Sequence, residues 1–270
     1  MIEKYYDGAI EQVAAGLGTV EKNYLLVRYS GQFSVENLND TKQLEKNEDI
    51  FVQVHEFETG EITCAYEPYL TMICDGFRRY MTGTFEEFME TCDVYYLHRP
   101  VLLGYFNQDN TGREEIILLD EVAYEQERML AALERMLCAI ADRHPVLFVL
   151  NRFQLASKST MQLTARFLKC ENCNIGLVLG VSDIQAMPEF LVPDWEMLYE
   201  TLDDGSKIYH IGNSGRKKEE TIDDEKYVDY GSEKVYRKLQ NMVEFLDFDQ
   251  AAYYLETIER KIKFDNLLVD

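Results

Sequence analysis

No apolar run in this sequence reaches the roughly 18 to 20 residues needed to cross a bilayer. The first ten residues, Met1 to Ile10, carry polar and charged side chains where a secretory leader would have its apolar core. A cytoplasmic protein is therefore expected. Positive charge is also scarce: 27 Lys and Arg stand against 49 Asp and Glu, a formal net charge of −22. Nonspecific nucleic-acid affinity comes mainly from Lys and Arg displacing counterions, so a chain this acidic repels phosphate backbones and anionic lipid. Neither direct nucleic-acid binding nor membrane association is expected. Six cysteines (Cys64, Cys74, Cys92, Cys138, Cys170, Cys173) lie scattered through 270 residues, a chain long enough for an ample core, and read as reduced thiols rather than a disulfide frame. Only Cys170 and Cys173 form a CxxC pair, which supplies two of the four ligands a structural zinc needs; with no second pair and no HxxxH, no metal is expected. G-x-S-x-G, H-E-x-x-H and G-x-G-x-x-G are all missing, and no residue stands out as a nucleophile or other catalytic group. The four histidines, His55, His98, His144 and His210, have no recognisable partner spacing and are read as structural imidazoles.

What is present is 46% hydrophobic content, enough for one large core or two modest ones. Its periodicity divides the first 200 residues into alternating helices and short buried strands, the pattern of a parallel sheet covered on both faces. Ile10, Val13, Ala14 and Leu17 share a helical face that Gly16 and Gly18 end. Strands are expected at Tyr24 to Tyr29, Ile50 to Val54, Val146 to Leu150 and Ile175 to Leu179, with one more at Ile208 to Ile211. Helices are expected around Leu70 to Tyr80, at Phe85 to Cys92, at Glu121 to Arg143 and at Ser159 to Lys169. The stretch 216–234 is dense in charge and reads as a linker or loop. Beyond it, Val235, Leu239, Met242 and Leu246, then Ala251, Leu255, Ile258 and Ile262, mark two amphipathic helices joined near Asp247 to Asp249. The expected organisation is an α/β domain over 1–215, the charged segment 216–234, and a helical hairpin over 235–270 that opens a helical-repeat region.

The order of these segments resembles the STAND branch of AAA-type P-loop ATPases, in which an ATPase-like domain precedes helical repeats of the tetratricopeptide kind. The resemblance covers about residues 1–215. It rests on a helix leading into a strand and loop, on Glu67-Pro68-Tyr69-Leu70 before a helix, and on Ala141-Asp142-Arg143-His144-Pro145 before the strand Val146 to Leu150. Asn151-Arg152-Phe153-Gln154-Leu155-Ala156-Ser157 follows that strand. It implies a P-loop-like parallel sheet flanked by helices with a C-terminal helical hairpin, inside a larger, bacterial-type signalling protein with further C-terminal domains and protein partners.

The departures from that family each have a chemical meaning. A working phosphate loop needs glycines whose amides cradle the phosphate, a Lys and a Ser/Thr for Mg²⁺. Here Ser30-Gly31-Gln32-Phe33-Ser34-Val35-Glu36-Asn37-Leu38 puts Val35 where the Lys belongs and Glu36 where the Thr belongs. The acid pair that should end the next motif strand is replaced by Asn151 and Arg152, and Arg is no base at neutral pH. Ser30, Gly31, Ser34, Asn151 and Arg152 are thus the candidate residues of a vestigial nucleotide site, against the plainer reading of residues 29 to 38 as a strand-to-helix turn with Ser34 as a helix N-cap. No cofactor is expected, ATP with Mg²⁺ being the one to test. The leading expectation is a catalytically degenerate, regulatory or scaffolding module. Two alternatives stay open: a residual nucleotide binder or slow ATPase using Arg28, Lys42 or Arg152 for positive charge, and an acidic domain that docks a basic protein partner.

Overall fold

The apolar runs become strands and the periodic segments become helices in the computed structural model, which describes residues 2–19, 23–29, 49–58, 63–109, 121–170, 174–182, 187–203, 208–211 and 233–268. Five strands, β1 (Asn23–Tyr29), β2 (Phe51–Glu56), β3 (Val146–Asn151), β4 (Ile175–Ser182) and β5 (Ile208–Ile211), form one parallel sheet in the order β2-β3-β4-β1-β5. Helices flank it: α1 (Ile2–Gly16), α2 (Tyr69–Tyr80), α3 (Phe85–Thr91), α4 (Arg99–Asn107), α5 (Val122–Ala141), α6 (Lys158–Lys169) and α7 (Val192–Asp203), followed by α8 (Glu233–Glu244) and α9 (Phe248–Leu268).

β3 and β4 are buried along their whole length, as unbroken apolar runs at the centre of a parallel sheet require. Side chains alternate between two cores because successive residues of a strand face opposite ways. Leu25, Val27, Tyr29, Leu147, Val149 and Val178 pack with Ala9, Ile10 and Val13 of α1 on one face. Tyr24, Leu26, Val146, Phe148, Leu150, Leu177 and Leu179 face the larger core built with α2, α5, α6 and α7. Helix α1 lies so close to the sheet that a Cβ on Gly176 would stand 2.7 Å from Val13 Cγ1. Any side chain there would force α1 and β4 apart.

On the larger face, Met129, Leu130, Leu133, Met136, Leu137 and Ile140 turn the apolar stripe of α5 inward. Tyr69, from the Glu67-Pro68-Tyr69-Leu70 segment, is fully buried; its ring meets Phe148 and Phe167 edge-on at 4.7 and 5.1 Å, and its hydroxyl lies 2.6 Å from Thr164 Oγ1. Two helices, α4 and α7, were not expected from the sequence. In α4 nine residues carry no long stripe, and the helix is set instead by Pro100 in its first turn and a left-handed Gln108 at its end. Helix α7 continues directly from a 3₁₀ turn at Glu189–Leu191.

Helices α8 and α9 close on each other through Val235, Met242, Ala251, Tyr254 and Ile258. Their joining turn is seated on the α/β part. Phe245 enters the larger core, edge-on to Tyr66 and Tyr105. Asp247 Oδ2 accepts from the Ser159 amide at 3.2 Å, in the first turn of α6, and Asn241 Oδ1 accepts from the Ala65 amide at 3.0 Å. Gln126 Nε2 of α5 donates to the Leu246 carbonyl. Most of 216–234 lies outside the described residues. Among the described residues no helix is long and apolar enough to cross a membrane.

Candidate functional site at the carboxyl edge of the sheet

In an open α/β sheet ligands collect beyond the carboxyl ends of the strands, where neighbouring connections leave in opposite directions. Here that point lies between β1 and β4: from β1 the chain crosses to β2 at the far edge, while from β4 it passes β1 to reach β5 on the other side. Tyr29 and Ser182 end these two strands in register with each other, and Asn151 ends β3 on the far side of β4.

The edge is occupied by the protein's own polar side chains. The Tyr29 hydroxyl reaches across β4 and donates to Asn151 Oδ1 at 2.7 Å, with both residues buried. Burial pushes the Tyr29 phenol up to about 12, against the opposing pull of the Arg152 charge and the Asn151 hydrogen bond, so it stays a neutral donor near pH 7. Arg152 adopts a left-handed conformation (φ 54°, ψ 42°), uncommon for a residue with a Cβ, which turns the chain sharply off the end of β3. Its Nε stands 3.3 Å from Glu56 Oε1, the residue that ends β2 beside Asn151. The 3₁₀ turn Phe153–Leu155 follows, and there Gln154 makes a two-way bridge to β4. Its Nε2 donates to the Ser182 carbonyl at 3.1 Å and its Oε1 accepts from the Ser182 amide at 3.3 Å. Ser157 then caps α6 by accepting from the Thr160 amide at 3.2 Å.

Of the five residues singled out from sequence, Asn151 and Arg152 meet at this edge, while Ser30, Gly31 and Ser34 lie outside the described residues, as does Lys42. Arg28 is turned away from the edge pair, with its guanidinium over the Tyr199 ring at 5.2 Å. Sequence reasoning missed Tyr29, Glu56, Gln154 and Ser182. A hydroxyl-bearing aromatic ending a strand, and an acid two residues past an expected strand end, were the available signals. Neither distinguishes a site from a strand terminus until the sheet order brings them together.

A second concavity, about 580 Å³, lies between α2, α4 and α8 and is lined by Thr71, Arg78, Tyr105, Arg237, Asn241 and Glu244 among others. Beneath it the part-buried Glu67 carboxylate accepts from Thr71 Oγ1 at 2.9 Å and from the Tyr105 hydroxyl. Burial raises the pKa of Glu67 despite these donors.

Among the described residues no group of three or more His, Cys, Asp or Glu side chains is placed to hold a metal ion. His144 stacks on Tyr80 at 4.1 Å, His55 meets the Phe57 ring edge-on, and buried His98 has Nε2 3.1 Å from Glu125 Oε2. Cys173 of the CxxC pair and the acids Asp223-Asp224-Glu225 within the charged stretch 216–234 lie outside the described residues. The chain matches no protein-family model and no curated protein.

Proposed function

We propose that the chain is a catalytically silent, P-loop ATPase-like module that serves as a regulatory or scaffolding part of a larger signalling protein of the STAND type. The observation that carries this reading is the buried hydrogen bond from Tyr29 to Asn151 Oδ1. On a P-loop reading the phosphate loop follows β1 and the Mg²⁺-holding acid ends β3. Metal and phosphate chemistry there needs a free carboxylate facing a hydroxyl and a Lys. This edge instead holds a neutral amide satisfied by a neutral phenol, with the neighbouring guanidinium paired to Glu56. The sheet order supports the same reading, because it makes the end of β1 the switch point where a phosphate loop would act.

The scaffold role is supported by the seated α8–α9 pair, which also presents Tyr236, Val243 and Leu255 to solvent. Helical-repeat units bury such faces against a neighbouring unit. The test is a thermal-shift titration with ATP, ADP and GTP at millimolar concentration, with and without Mg²⁺. No shift is the expected outcome. A ligand that binds only the folded state raises stability by RT ln(1 + [L]/Kd). A saturable rise that disappears in Arg152→Ala would replace the silent module with the residual nucleotide binder.

A further inference from the structure

Two thiols that the sequence scatters 32 positions apart come into contact in the fold. Cys138, near the carboxyl end of α5, has its Sγ 3.6 Å from Sγ of Cys170, the residue at which α6 ends. Both are part-exposed, whereas Cys74 and Cys92 are buried and their thiols are pushed up by that burial to about 12 and about 11. The buried pair is therefore protonated and inert at neutral pH, and of the part-exposed thiols Cys64, Cys138 and Cys170 the last two are already in contact. An S–S bond of about 2.05 Å requires the two sulfurs to approach further. Cys170 is placed to supply that movement, since its backbone has left the helix for an extended conformation (φ −67°, ψ 141°).

We infer that Cys138 and Cys170 form a dithiol site that a low-molecular-weight disulfide oxidises to a disulfide, stapling α5 to α6. One thiolate attacks the small disulfide, forming a mixed disulfide and releasing one small thiol. The second thiolate attacks the protein sulfur of that mixed disulfide, the Cys138–Cys170 bond forms, and the second small thiol leaves. The protein loses two protons and two electrons, and the two small thiols released carry them.

The staple lies at one end of a seam with a defined far end. One turn back from the staple, Arg166 of α6 pairs with Glu134 Oε2 at 2.8 Å and with Glu127, both on α5. At the amino ends of the same helices, Gln126 and Ser159 hold the turn between α8 and α9. Oxidation thus locks the two-helix seat on which the hairpin rests.

The test incubates the whole chain with glutathione disulfide against a graded excess of glutathione, followed by intact mass, peptide mapping without reduction, and thermal unfolding. Expected are a species lighter by two hydrogens, a peptide joining Cys138 to Cys170, reversal by excess thiol, and a melting temperature raised by about 5–10 °C, the size expected for closing a loop of this length. Cys138→Ser and Cys170→Ser, each melting near the reduced wild type, should both lose the rise. A bond mapped to Cys170 and Cys173, glutathione adducts alone at Cys138 or Cys170, or a cross-link that leaves the melting temperature unchanged or lower would overturn the inference.

Discussion

Tyr29 serves this fold both as a buried ring against α1 and as a hydrogen-bond donor. Tyr29→Phe keeps the packing against α1 but removes a buried donor from Asn151, and it should cost about 1–3 kcal/mol in urea unfolding, the usual range when a buried polar group loses a partner. A loss too small to resolve would mean that water reaches the edge and replaces the phenol. Glu67 makes a prediction about pH. Its carboxyl is raised chiefly by desolvation, so the folded protein holds the proton more tightly than the unfolded chain does. A raised folded-state value contributes stability fully present below the ordinary carboxylate pKa and lost as pH rises through the folded one. Glu67→Gln should therefore gain on the wild type over the window that opens as pH rises above the ordinary Glu value, near 4.3. Parallel stability curves across that window would remove Glu67 from the account. The sequence marked Glu67 only as part of a Glu-Pro-Tyr-Leu segment; its environment comes from Tyr105, 38 positions away on another helix.

Among the elements, the contact between the α8–α9 turn and α6 separates two acids that look alike in sequence. Asp247 is buried and accepts from a first-turn amide of α6, whereas the Asp249 carboxylate paired with Lys158 is 60% exposed. Asp247→Ala should cost about 1–2 kcal/mol, as loss of a helix cap does. Asp249→Ala should cost less than about 1 kcal/mol, since water screens an exposed pair. Asp247→Asn, which keeps an acceptor oxygen, should recover most of the first loss; equal costs for the two alanines would show that the turn is not seated through Asp247. Elements of this kind differ in how legible they are. The strand at Val146 was readable to within a residue because five consecutive apolar side chains leave a fully buried strand as the economical solution. Helix α5 was readable because its stripe repeats over 20 residues. Helix α4 was not, because nine residues with a central glycine show no periodicity, and packing against α2 and α3 decides it instead.

At the scale of the molecule, an excess of 22 negative charges means that folding works against self-repulsion. Raising monovalent salt from about 10 mM to 150 mM shortens the Debye length from about 30 Å to 8 Å and should raise the melting temperature by a few degrees. A fall would mean that the attractive pairs, such as Arg166 with Glu127 and Glu134, outweigh the repulsion. The sequence by itself determined the charge, the alternation of buried strands with amphipathic helices, and therefore a parallel sheet covered by helices, because burial of apolar periodicity is a local constraint that each segment carries within itself. Only the tertiary structure decided that Tyr29 meets Asn151 across β4, that Glu56 answers Arg152, that Cys138 touches Cys170, and that Asp247 sits on the first turn of α6. Each of these depends on the order of strands in the sheet and the seating of helices on it, and those are set by the packing of the whole core rather than by any segment's own pattern.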